Sequence, residues 1–230
     1  QQQTAVQLKQ KVTTNEVESN KSSQQLIALN IQFYDPKEFL NSVNQSVSVP
    51  FFKLCQLFLD KSIDLCVKHY QLDPTVIQVD QIFNAEGATL STMGEQENAL
   101  ECLMMIGAVF QLLSDVLYKR YREDKRFALQ TRGAVASAVE AMQLDAIESA
   151  KRLTQHLSAK EAALHLNHDH LKLIQNCYDL VAMPNPSNIM TRHAFMIHGM
   201  NEDCAKLAQN LRTEILMGKK AKVATDTSTL

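Results

Sequence analysis

The chain has 230 residues, enough for one large domain or two small ones. Apolar residues make up 45% and charged residues 21%, and there are only 6 glycines and 5 prolines, which excludes a collagenous, wholly disordered or turn-rich all-β chain. With 23 basic against 25 acidic side chains, the net charge of −2 draws the chain as a whole neither to nucleic acid nor to an anionic bilayer.

The basic character lies towards the C-terminus: residues 1–110 hold 7 basic and 12 acidic side chains, and residues 111–230 hold 16 and 13. The longest unbroken apolar run, Cys102 to Phe110, is nine residues where a membrane span needs about 20, so no span is expected. Five cysteines without a close-spaced pair match neither a zinc site nor a redox motif. Cys55 and Cys66 would share a helix face but sit about 16 Å apart, beyond disulfide reach, so they read as small core residues of a cytoplasmic protein.

In chain order, residues 1–24 are polar and support at most a marginal helix, so they are expected to form a flexible arm. Residues 25–95 are expected to form an N-terminal helical layer. Asp35-Pro36-Lys37-Glu38 carries an N-cap acceptor followed by proline, a short-helix start. Apolar residues at spacings of three and four follow from Pro50 to Leu72, a helix of about five turns. Asp73-Pro74 repeats the cap-then-proline start, with a short strand as the alternative because Val76, Ile77 and Val79 are β-branched. Gly87 and Gly94 bracket an expected loop.

Residues 96–218 are expected to be a central and C-terminal helical bundle. The stretch 96–130 reads as one long helix whose apolar residues point in every direction, so it must be surrounded by protein. After Gly133, Val135, Val139, Met142, Ala146, Ala150, Leu153 and Leu157 recur at three and four, predicting a second helix. A capping box at Ser158–Glu161 predicts a third, running to Met183, and further helices are expected over 188–198 and from Asn201 to Gly218. Residues 219–230 read as a loose tail. The expected fold class is therefore all-α, with seven to nine helices.

On the predicted 158–183 helix, Leu166, Leu173, Cys177 and Leu180 form a second apolar seam, coiled-coil-like in its seven-residue recurrence, that a protein partner or a second copy could fill. Glu161, His165 and Asp169 form a polar ridge on the same helix, the basis for a helical metal-dependent enzyme as one alternative. Lys119, Arg122 and Arg126 lie in the one basic segment with interleaved aromatics, Tyr118 to Phe127. Such a segment can contact phosphates while a tyrosine stacks a base, and an RNA-coating nucleoprotein is the other alternative. There is no Gly-x-Ser-x-Gly elbow and no Gly-rich phosphate loop, and no cofactor is expected. The favoured expectation is a non-enzymatic helical adaptor or structural subunit of a larger intracellular assembly.

Overall fold

The structure, a computed structural model, describes residues 26–125 and 127–218. The expected arm over 1–24, the tail over 219–230 and Arg126 lie outside the described residues. The all-α expectation is overturned: the described residues build a mixed sheet of seven strands with seven α-helices.

The first strand, β1 (Leu26–Tyr34), explains the architecture. Its odd-numbered residues Ile27, Leu29, Ile31 and Phe33 join the main core, while Ala28 packs in a separate small-residue cluster on the opposite face. Both faces are covered, so the strand reads as a short apolar run rather than a clean alternation. Asn30, fully buried, is tolerated because its amide donates to the Ala88 carbonyl at 3.2 Å and to the Thr89 hydroxyl at 3.0 Å.

Helices α1 (Phe39–Ser42) and α2 (Gln45–His69) follow. The helix expected to start at Pro36 starts three residues later, at Phe39, with Glu38 in the N-cap position; the Asp35 carboxylate still serves this end, accepting from the Phe39 and Leu40 amides at 2.9 and 2.8 Å. The helix expected from Pro50 begins five residues earlier, where Asn44 caps it, and runs through Pro50. At Asp73-Pro74 the strand alternative prevails after a single 3-10 turn. A hairpin of β2 (Gln78–Asn84) and β3 (Gly87–Met93) occupies the place of the expected loop between Gly87 and Gly94.

The long central helix is α3 (Ala99–Lys125). Its apolar residues are buried all round, Leu103, Met105, Ile106, Val109 and Leu113 completely, because the sheet, α2 and the C-terminal helix enclose it. It is also long and apolar enough to cross a membrane over Ala99–Glu123, and 61% of its most apolar window is buried within the fold.

Beyond α3 the helical expectations fail in three places. The residues after Gly133 belong to β4 (Gln130–Ser137), followed by a 3-10 turn and the short helix α4 (Ala146–Gln155). Here Ala134 and Ala136 lie beneath α4, and the cluster of Ala28, Ala136, Ala146 and Ala150 lets helix and sheet approach closely. The three-and-four spacing was therefore a strand followed by a helix, each buried on small residues. The expected 158–183 helix is replaced by β5 (Ala162–His165), α5 (His168–Ile174) and β6 (Tyr178–Ala182). The expected 188–198 helix is one turn, α6 (Ile189–Arg192), and then β7 (Phe195–Met200).

The last helix, α7 (Glu202–Met217), is as read: Asn201 caps the Cys204 amide at 2.8 Å and Gly218 takes the left-handed conformation after it. Cys177 and Cys204 form a disulfide that ties the chain before β6 to the first turn of α7. Cys55, Cys66 and Cys102 are buried free thiols, as core residues should be, and burial pushes the Cys102 pKa up to about 12.

The strand order is β2-β3-β1-β4-β5-β7-β6; β4 and β5 run parallel and every other neighbouring pair is antiparallel. Helices α2 and α3 cover one face, and α4 lies on the other, over β1 and β4.

Candidate functional site

The carboxyl end of β1 opens into the loop Tyr34–Phe39, beside the last turns of α3. Tyr34, Lys37, Phe39, Tyr118, Arg122 and Phe127 meet there around a cavity of about 480 Å3. Each wall has a local cause. Asp35 locks the loop by capping α1, and Glu38 turns the backbone through the left-handed region at φ 53°, which leaves Phe39 and Lys37 exposed at the mouth. On α3, Tyr118 and Arg122 are one turn apart; the guanidinium donates to the Tyr118 hydroxyl at 3.1 Å and sits 5.7 Å from its ring centroid. Phe127 is anchored from behind by an edge contact with Phe51, ring centroids 5.5 Å apart. A second guanidinium, Arg132, sits 5.6 Å from the ring of Tyr34 and donates to the carbonyls of Gln155 and Leu157. Burial lowers its pKa, yet a guanidinium stays charged.

Aromatic faces with two exposed cations can stack a planar base and hold phosphate oxygens. Of the expected phosphate contacts, Arg122 is in this cavity, Lys119 is exposed one turn along α3, and Arg126 lies outside the described residues. Tyr34, Lys37 and Phe39 were missed. Their only signal was the Asp35 cap, and nothing local brings that loop to the end of a helix that starts 60 residues after Phe39.

A neighbouring groove of about 340 Å3 lies between β1, the β2–β3 turn and α4, and includes Gln32, Glu86, Glu148 and Lys151. Two of its charged groups are engaged: Glu148 pairs with Arg152 at 2.8 Å, and the Lys151 ammonium donates to the neutral Gln81 side chain at 3.1 Å.

The other expected sites are taken apart by the fold. Leu166, Leu173, Cys177 and Leu180 do not share a helix face: Leu166 is buried after β5, Leu173 is 52% exposed on α5, Cys177 is in the disulfide and Leu180 is on β6. The polar ridge is dispersed as well. Glu161 accepts from the Ser158 amide, His165 is on β5, and Asp169 pairs with Lys172 on α5. Among the described residues, no group of three or more His, Cys, Asp or Glu side chains is placed to hold a metal ion.

No family model matches this sequence, and no curated protein matches it. Its fold, however, is similar to solved nucleotide cyclase structures. The adenylyl cyclase CyaB from P. aeruginosa superposes with a TM-score of 0.54 at 10% identity, over 77% of this chain and 95% of that one. The guanylyl cyclase Cya2 gives 0.54 at 9% identity, over 77% and 93%. The catalytic core of a rhodopsin-guanylyl cyclase with converted specificity, in complex with ATPalphaS, gives 0.53 at 7% identity, over 77% and 98%. These likenesses establish a cyclase-type α/β fold. They overturn the expectations of a non-enzymatic helical adaptor, of an all-α coiled-coil-like bundle and of both helical alternatives, because the fold shared is a mixed α/β sheet and not a helical bundle.

Proposed function

We propose that this chain is a cyclase-type domain that takes a nucleoside triphosphate at the end of β1, with the base against Phe39 and Tyr118 and the phosphates on Lys37 and Arg122. The observation carrying this reading is the meeting of exposed cations and aromatic faces around one cavity of about 480 Å3, within the roughly 300 to 1,000 Å3 usual for small-molecule sites. The likeness in fold to a cyclase core bound to ATPalphaS supports the choice of ligand class.

Triphosphate sites commonly carry Mg2+ on one or two carboxylates. Among the described residues the carboxylate lining this cavity is Asp35 alone, and each of its oxygens is already turned to a backbone amide, that of Phe39 or Leu40. The residues present therefore do not fit a bound divalent cation, and the binding reading rests on the cations alone. Lys37 and Arg122 neutralise phosphate charge, and the rings exclude water from the base.

The test is equilibrium binding of fluorescent ATP and GTP analogues to the full chain and to Lys37→Glu with Arg122→Glu, with cyclic nucleotide measured in the same samples. Both side chains are exposed, so the double variant should keep the wild-type circular-dichroism spectrum. The expected result is saturable binding in the wild type, weakened at least about tenfold in the double variant, since each charged hydrogen bond is worth about 1.5 to 3 kcal/mol. Absence of saturable binding, or binding indifferent to the charge reversal, refutes the reading.

A further inference from the structure

On the α4 side of the sheet, a cluster separate from the main core gathers four of the chain's nine methionines, Met142, Met183, Met190 and Met196, around Ala163 and Ala194. The pairing of three strands sets two of these methionines beside a histidine. Ala163 on β5 pairs with Met196 on β7, which pairs on its other side with Val181 on β6. The next row on the same face lies two residues along. There the Met183 amide, just past β6, donates to the Ala194 carbonyl at 3.0 Å, and the β5–β7 register continued by one residue puts His165 opposite the same alanine. Directly opposed residues of antiparallel strands point to one face. His165, Ala194 and Met183 therefore form one row, with Met196 in the row beside it.

Ala194 is the small member of its row. Two strand spacings of about 4.8 Å put His165 and Met183 about 10 Å apart across it, with nothing longer than a methyl group between them. Each side chain has to cover only half of that gap to meet the other at a shared ion. The His165 Nδ1 has no hydrogen-bond partner, which leaves that ring nitrogen free to ligate. His165, Met183 and Met196 are all half-buried, so the row is not sealed from solvent.

We infer that His165, Met183 and Met196 form a binding site for one soft, monovalent metal ion of the copper(I) class. The ion is soft because two of its donors are thioethers, and imidazole completes a set that copper accepts. It is monovalent because all three donors are neutral, so none of them offsets a second charge taken out of water. Magnesium and calcium ask for carboxylate and carbonyl oxygens, which this set does not offer. Methionine's unbranched side chain lets each sulfur turn to the ion without moving the backbone.

The probe is silver(I), which matches copper(I) in charge and softness and keeps its oxidation state. Silver nitrate is titrated into the full chain in chloride-free buffer while the methionine methyl resonances are followed by NMR. The Met183 and Met196 signals are assigned from Met183→Leu and Met196→Leu, which keep the volume and remove the sulfur. Circular dichroism verifies that these variants and His165→Gln are folded. The expected outcome is a shift of both signals that saturates at one ion per chain and that zinc(II) does not produce. In competition with free methionine, each variant should bind silver(I) at least about tenfold more weakly, since loss of even an outer partner of a ligand costs that much. Silver(I) taken up by the Cys55, Cys66 or Cys102 thiols instead leaves both methyl signals in place, and that result overturns the inference. Affinity that all three variants leave unchanged overturns it as well. The nucleotide reading concerns other residues, and neither result bears on it.

Discussion

Replacing Gly87 by alanine tests the sheet at its tightest point. Gly87 begins β3 at φ +97°, next to the Ile31–Ala88 pair that joins β3 to β1. A Cβ there would stand 1.9 Å from the Ile31 carbonyl oxygen and 2.9 Å from its carbon, both backbone atoms that no rotamer change can move. The backbone conformation alone costs an L residue about 1 to 3 kcal/mol, and forcing strands apart adds about 1 to 3 kcal/mol of overpacking. The combined loss is then roughly 2 to 6 kcal/mol. At about 2 to 4 °C per kcal/mol for a domain of this size, Gly87→Ala should melt roughly 10 °C below wild type.

Two other glycines serve as internal controls in the same melting experiment by circular dichroism. Gly199→Ala meets nothing within 4 Å and has an ordinary φ, so it should stay within about 0.5 kcal/mol of wild type. Gly218→Ala meets nothing within 4 Å but has φ +56°, and should lose about 1 kcal/mol. If Gly87→Ala melts within about 2 °C of wild type, the β1–β3 contact is not as close as described and the reasoning fails.

Phe110, 1% exposed and stacked on Phe83 with centroids 5.1 Å apart, should cost about 3 to 5 kcal/mol as Phe110→Ala, and Phe110→Asp should abolish the melting transition; a cooperative wild-type-like melt would show the ring is not enclosed. Leu173→Asp, at a half-exposed position on α5, should change stability by no more than about 0.5 kcal/mol, and loss of folding in that variant would place Leu173 in a core. Burial lowers the pKa of His165 and His170 below the usual histidine range. The folded state then favours their neutral forms, so their contribution is full above the unfolded histidine pKa of about 6.5 and is lost as pH falls below it. The melting temperature should fall on acidification below that point, and His170→Gln should flatten the fall; an unchanged acid limb in that variant would refute this assignment.

What could be read along the chain was what the chain forms locally. The caps at Asp35 and Asn201, the left-handed stop at Gly218, and the apolar runs of α2 and α3 are decided by hydrogen bonds and side chains within a few residues of one another, so they are visible without the fold. The surrounded character of α3 was legible for the same reason: a helix apolar on every side has no face to give to water.

The sheet was not legible, because its strands are specified by partners far away. β1 and β4 meet through Ile27 opposite Ser137, and β4 meets α4 through alanines whose spacing also suits a helix. Propensity and period are weak where both faces of a strand are covered and its residues are small. The expected second apolar seam failed on the same point, since Leu166 follows β5 and Leu180 lies on β6 once those strands replace the helix. The candidate site divides likewise. Arg122 and its aromatic neighbours stood out as a segment, but their chemistry depends on Lys37 and Phe39 at the end of β1. Only the antiparallel pairing of β1 with β4, which follows α3 directly, brings that loop to the end of the helix.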